Sequence, residues 1–409
     1  MNQPNASRTR QAGAPLATES LPLVCLSHLR WRFVFQRPQH LMTRFARDRA
    51  VYFFEEPVRD GDVPRLITDQ DPSGVTVVTP QIPASVSGTD VDRLLETLLA
   101  GLIDDIGAGG YVLWFQTPMA MSFAGALAPT AAIYDCMDDL ASFAFAPPGI
   151  AQHEADLLAS ADAVFTGGRS LFEARRDRHP NVHYCPSSVD VAHFSAARQQ
   201  PAEPDDLRPV PRPRIGFAGV IDERMDLGLI AALAQQRPDW HIVLVGPVAK
   251  IDPASIPNAA NVHWLGPKAY AELPAYLAHW DVAMLPFAHN DATRFISPTK
   301  TPEYLAAGLP VVSTSIRDVV TPYGDLGLVH IADTPAAFVE AIDDLLQGDP
   351  DTRRAAADDF LSTQSWDRTW QFMRDQVNAA VARARRNDSP DGGTPLAAHG
   401  AVTNEDGLL

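Results

Sequence analysis

At 409 residues the chain exceeds the usual size of one hydrophobic core and is expected to form two domains. An apolar fraction of 46% with 20% charged residues is that of a globular protein, and the net charge of −17 excludes a nucleic-acid partner, because phosphate backbones need a basic surface. Three widely spaced cysteines, Cys25, Cys136 and Cys185, make neither a disulfide framework nor a zinc pattern and suit a reducing compartment, so a cytoplasmic protein is expected.

Residues 1–19 are polar, lack an apolar signal core and are expected to be disordered. Apolar runs then recur as strands at Leu21–Ser27, Ala50–Phe54, Val75–Thr79, Tyr111–Phe115, Ala131–Asp135 and Ala163–Thr166. Helical patterns fall between them at Arg37–Arg47, Val91–Ile106 and Ile150–Ser160, the alternation of an α/β protein with parallel sheets. Residues 198–213 are rich in proline and charge, a linker composition that marks the expected domain boundary. The rhythm restarts with strands at Arg214–Gly219, His241–Gly246, Val262–Leu265, Val282–Pro286, Val311–Ser313 and Leu328–Ile331. Helices are expected at Met225–Gln235, Tyr270–Ala278, Pro302–Ala307 and Ala336–Leu346. Trp366, Trp370, Met373, Val377 and Val381 then lie on one face of a helix over 364–386, and residues 387–409 turn polar and glycine-rich, a disordered tail. No apolar run is long enough to cross a membrane. A local excess of arginine (Arg30, Arg32, Arg37, Arg44, Arg47, Arg49) leaves room for peripheral contact with the inner membrane face.

Chemistry concentrates at four strand ends, where parallel α/β sheets bind their ligands. The stretch Ser297-Pro298-Thr299-Lys300-Thr301-Pro302-Glu303-Tyr304 reads as a tight loop entering a short helix that Gly308 stops before a buried strand. Free N–H groups and Lys300 at that helix start suit a diphosphate, and Glu303 one turn on can accept hydrogen bonds from ribose hydroxyls. Gly219 and Arg224 follow the first strand of the second half, where a guanidinium fork suits phosphate oxygens. The loop from Ser27 to Leu41 carries His28, Trp31 and Arg37, offering a stacking ring and polar groups for an acceptor. Asp135, Asp138 and Asp139 crowd the strand end after Ala131, where three carboxylates repel one another unless solvated, capping a helix or facing cationic or hydroxyl groups. Gly107-Ala108-Gly109-Gly110 lies in the reverse of the dinucleotide-binding order, and each Asp-x-Asp sits in a turn or helix start, so no metal site is required.

The Ser297–Val312 stretch resembles the donor-binding segment of the retaining GT-B-fold glycosyltransferases, the group-4 superfamily, also called glycosyl transferases group 1. The Arg-Pro-Gln-His-Leu run at Arg37–Leu41 resembles the bacterial polysaccharide-biosynthesis members. In that family the last Glu of a Glu-x7-Glu motif binds the ribose. Glu303 takes that place, while Phe295 stands where the first Glu would hold the donor sugar. The resemblance implies two Rossmann-like domains facing across a cleft: an acceptor-side domain over 20–197, a nucleotide-sugar domain over 214–363, and the 364–386 helix crossing back. It implies an enzyme moving a sugar from a UDP- or GDP-linked donor to a saccharide or lipid-linked acceptor, with no cofactor beyond the co-substrate and no metal. Arg224, Lys300 and Asp138 would be its catalytic groups, and Gly219, Arg224, Ser297, Pro298, Thr299, Lys300 and Glu303 its donor contacts. Two other readings share the fold, a nucleotide-sugar epimerase and a catalytically degenerate sugar-nucleotide binder.

Overall fold

The computed structural model describes residues 20–387, so the segment 1–19 and the tail from 388 onward lie outside the described residues. The first sheet contains β1 (Leu23–Leu26), β2 (Val51–Phe54), β3 (Arg65–Gln70), β4 (Val75–Gln81), β5 (Val112–Phe115), β6 (Ala131–Cys136), β7 (Ala163–Thr166) and β8 (Val182–Tyr184). Its order is β3-β4-β2-β1-β5-β6-β7-β8, parallel throughout except for the β3–β4 pair. The second sheet contains β9 (Arg214–Ala218), β10 (His241–Val245), β11 (Val262–Trp264), β12 (Val282–Leu285), β13 (Val311–Ser313) and β14 (His330–Ile331), ordered β11-β10-β9-β12-β13-β14 and wholly parallel. The central strands are buried on both faces, which is why they read as unbroken apolar runs.

Several short elements escaped the pattern, among them β8 and the helices Arg169–Arg175 and Val191–Ser195, and two others did so for clear physical reasons. The edge strand β3 is mostly exposed, so nothing selects an apolar face along Arg-Leu-Ile-Thr-Asp-Gln. The helix Pro350–Leu361 shows little apolar periodicity and is set at its start by Asp349, whose carboxylate accepts the N–H groups of Asp351 and Thr352.

The expected linker is a correction. Leu207 and Val210 are buried in the core of the second domain, and Val189, Phe194 and Ala197 already belong to it. Arg198 donates to the Ala306 carbonyl at 2.8 Å and pairs with Asp358 at 2.7 Å. The prolines of 198–213 therefore shape a packed lead-in to β9, and the chain crosses between domains earlier, just after β8. The helix Trp366–Asn387 crosses back: Trp366, Trp370, Met373, Val377 and Val381 pack with Leu23, Cys25, Phe45 and Trp114 in the first domain's core. All three cysteines are buried and free. Among the described residues no helix is long and apolar enough to cross a membrane.

The two sheets face each other with their strand carboxyl ends. Phe35 of the first domain lies 4.7 Å from the ring of Tyr270 in the second. The Asp318 carboxylate accepts the Ser170 N–H at 3.0 Å, Glu223 accepts the Ala144 N–H at 3.2 Å, and Arg317 pairs with Glu173.

Candidate functional site

The helix Lys300–Ala307 is held against β9 from within. The Tyr304 hydroxyl accepts the Ala218 N–H at 2.7 Å, and Gly308, in the left-handed region at φ 84, closes the helix by donating to Leu305 and Tyr304 carbonyls. This bond places the first turn beside Gly219. A Cβ on Gly219 would lie 2.3 Å from Lys300 Cε, so any larger residue there would push the lysine stem aside. Gly246, at the end of β10, approaches as closely: a Cβ there would meet the Gly219 carbonyl oxygen at 1.9 Å. Backbone and lysine thus converge where three elements meet, as a ligand-binding strand end requires.

Lys300, Glu303, Thr299 and Gly219 line one wall of an interdomain cleft of about 610 Å³. Phe33, Phe35 and Gln36 of the first domain form the facing wall, and the turns at Gly246-Pro247 and Pro267–Tyr270 close its end. Burial lowers the Lys300 pKa and nearby Arg224 lowers it further, while Glu303, Asp222 and Asp138 oppose both. Burial raises the Glu303 carboxyl to about 7 against the pull of Lys300 and a hydrogen bond from Thr299. An under-solvated ammonium beside an under-solvated carboxyl, both opening on one cleft, is poised for a ligand that is anionic at one point and hydroxylated at the next.

Glu303 also sets a pH dependence. The unfolded chain carries it near 4.5 and the fold near 7, so the folded protein binds more protons across that window. Its contribution to stability is complete below about 4.5 and is lost as pH rises to about 7. Glu303→Gln is expected to flatten this part of the melting-temperature profile; a profile of unchanged slope would contradict it.

Arg224 follows the same strand end. Burial works against its charge, and the Asp222 carboxylate outweighs that by accepting from Nε at 3.0 Å and Nη2 at 2.7 Å. Its guanidinium also lies over the Phe143 ring of the first domain at 5.6 Å. The crowded carboxylates after β6 sort themselves by partner. Asp135 is buried against Arg37, and Asp139 pairs with Arg175 at 2.9 Å. Asp138 makes no ion pair among the described residues and lies within electrostatic reach of Lys300, Arg224 and His28. His28 is held neutral: burial, then Lys250, push it down to about 4 against Asp138 and the Gln116 carbonyl.

Four expected contacts move. Ser297 and Pro298 line a separate crevice with Ser188, Asp318 and Tyr323, where Ser297 packs close against Gly168 of the first domain, and not the cleft that Lys300 and Glu303 border. Arg37 is 3% exposed; its guanidinium grips Asp135 at 2.7 Å and donates to the Cys185 carbonyl at 2.8 Å, so it locks β6 and β8 and faces no acceptor. Trp31 borders the cleft, yet it is 6% exposed, packs edge-on to Phe53 at 4.9 Å and donates its N–H to Asp71 at 2.8 Å. The exposed rings of that loop are Phe33 and Phe35. Phe295 packs against the core of the first domain, with Arg294 over its ring at 5.1 Å. Sequence reasoning missed Tyr270, taken as the start of a helix; it stacks on His193 at 4.1 Å and borders the cleft. Its position after β11 was the available signal.

The model of the family "Glycosyl transferases group 1" matches residues 212–348. The chain is 30% identical over 190 residues to the Bacillus subtilis (strain 168) protein named as teichuronic acid biosynthesis glycosyltransferase TuaH, covering 45% of this chain and 48% of that protein. It thus spans about half the length of that relative. Among solved structures, the sucrose-phosphate synthase of Thermosynechococcus elongatus superposes with a TM-score of 0.70 at 15% identity, over 89% of this chain and all of that one. HepE of Anabaena, in complex with UDP and glucose, gives 0.63 at 13% identity over 88% of this chain and 100% of that one. WaaG, a lipopolysaccharide-biosynthesis glycosyltransferase, gives 0.57 at 13% over 88% and 98%. With two parallel-sheet domains meeting at their carboxyl ends and a returning terminal helix, the chain has the GT-B fold, and its residues 212–348 match the family glycosyl transferases group 1.

Proposed function

We propose that the protein transfers a sugar from a nucleotide-diphosphate sugar to a saccharide or lipid-linked acceptor, with retention at the anomeric carbon, in cell-surface polysaccharide or glycoconjugate synthesis. The observation that carries this reading is the placement of Lys300 and Glu303 on one helical turn facing the 610 Å³ cleft. The Lys300 ammonium and the Arg224 guanidinium would hold the diphosphate, and Glu303 the ribose hydroxyls. The backbone turns at Gly246-Pro247 and Pro267–Tyr270 would flank the base. Asp138 and His28, on the opposite domain, would face the reacting sugar and the acceptor.

In the transfer, the bond from the anomeric carbon to the β-phosphate oxygen breaks. The acceptor oxygen bonds to the same face, and its proton passes to the departing phosphate. Negative charge grows on that phosphate as the bond breaks, so cations fixed beforehand in a poorly solvated site act mainly on the transition state. Neither domain alone carries a complete set of these groups, so closure over the donor is expected to precede transfer.

Calorimetric titration with UDP, GDP and their sugar conjugates, followed by assay of nucleotide release with a saccharide acceptor, tests the proposal. Saturable binding with acceptor-dependent release is expected. Binding of no nucleotide would reject the reading; an epimerised donor formed without acceptor would move it to the epimerases of this fold.

A further inference from the structure

Thirty of the 33 basic residues are arginine, and the chain's three lysines are Lys250, Lys268 and Lys300. All three belong to the second domain and stand at the interdomain crevice: Lys268 and Lys300 line the cleft, and Lys250 reaches to Phe143 of the facing domain. An ammonium is a compact point charge on a flexible stem, whereas a guanidinium is a planar fork of fixed geometry. A chain that uses arginine almost everywhere else therefore keeps the point charge where the domains meet.

Lys268 is neutralised by Asp206 at 2.6 Å. Neither Lys250 nor Lys300 makes an ion pair within 4.0 Å among the described residues. These two have different surroundings. Lys300 lies among Glu303, Arg224, Asp222 and Asp138. Lys250 sits on the loop after β10 in the left-handed region, φ 62, with its ammonium 4.8 Å from the centre of the Phe143 ring. Its electrostatic neighbours are His28 and Glu56, at the carboxyl ends of β1 and β2. The two ammonium groups stand on different elements: Lys300 opens the motif helix, whereas Lys250 follows β10 and shares the Phe143 ring with Arg224, at 4.8 and 5.6 Å.

Glu56, exposed at the surface, makes no ion pair with Lys250 within 4.0 Å. Beside it, His28 Nδ1 is buried without a hydrogen-bond partner, and so are both amide atoms of Gln116, which is 2% exposed. A buried polar atom left without a partner is costly, and three of them near one another call for a polar occupant. A protein of net charge −17 repels anions at long range, so an end of the cleft that receives one needs its own local cation.

The geometry points to a second anion position beside the cleft, which takes an acceptor saccharide carrying a carboxylate or phosphate, with that group at Lys250 on the loop after β10 and its hydroxyls toward His28 and Gln116 at the carboxyl ends of β1 and β5. This rests on the transferase reading above, in which the nucleotide occupies the Lys300 end.

The test is calorimetric titration of the full chain, in the presence of UDP, with glucuronate, glucose 6-phosphate and glucose. At least one anionic sugar is expected to bind at least about tenfold more tightly than glucose, and Lys250→Ala to remove that preference while UDP affinity stays within about twofold. Which of the two anions is preferred distinguishes a carboxylate from a phosphate source. Equal affinities for all three sugars, no saturable binding of either anion, or a preference that survives Lys250→Ala overturns the inference. Failure of UDP to bind the unsubstituted protein would instead strike at the Lys300 and Glu303 reading. Lys250 is exposed, so melting temperatures should match and keep a folding defect from imitating the result.

Discussion

Replacing Lys300 with Ala is expected to weaken nucleotide-sugar binding by roughly 10–100-fold, which corresponds to about 1.5–3 kcal/mol for one charge-assisted contact. The loss in turnover should be at least as large, because charge develops on the leaving phosphate only as the glycosidic bond breaks. Stability should change by less than about 0.5 kcal/mol. The folded protein gains little from this ammonium: it has no ion pair among the described residues, and its pKa is lowered by burial. Gly219→Ala approaches the same end from the other side. The added methyl would lie 2.3 Å from Lys300 Cε, and a flexible lysine can swing away, so a smaller loss in the same direction is expected. Titration with UDP-glucose and thermal melting of both variants measure the split between binding and folding. A Lys300→Ala protein with undiminished affinity would remove the central residue of the proposed function.

The second large effect concerns folding. Asp135→Ala should destabilise the protein by about 3–5 kcal/mol, the cost of leaving one member of a buried ion pair without its partner. Asp135 is fully buried and receives three contacts from the 3%-exposed Arg37, at 3.1, 3.1 and 2.7 Å. Arg37 also reaches Met373 of the terminal helix at 3.9 Å, so the pair sits where that helix crosses the first sheet. Replacing both partners together, Arg37→Met with Asp135→Leu, should recover most of the loss, since apolar residues of similar volume remove the stranded charge. Chemical denaturation of the single and double variants decides between this structural role and an acceptor role. If Arg37→Ala left stability intact and abolished only transfer, the structural assignment would be wrong.

Much of the second domain was legible before the structure. Val282 to Leu285 and Val311 to Ser313 announce buried parallel strands by their unbroken apolar runs, and Gly308 announces the end of the motif helix by the left-handed backbone it must adopt. Lys300 and Glu303 were readable together because they lie three apart at a helix start, a distance that local geometry alone converts into one face. The terminal helix was readable from its four-and-three spacing, although the spacing is silent about which domain it would cover.

What the sequence determined by itself, then, was everything carried by short-range geometry: two α/β halves, their strands, and one helical turn bearing a cation and an acid. The tertiary structure decided which charges are spent. Arg37, Asp135, Asp139 and Arg175 are consumed in pairs drawn from different strands and helices, while Lys300, Asp138 and Lys250 are left without an ion pair among the described residues. It also placed Ser297 and Pro298 in a separate crevice and drew 198–213 into the second core. Ion pairing and burial depend on residues tens to hundreds of positions apart, such as Arg37 and Asp135, and no local pattern records which partner the folded chain will bring within reach.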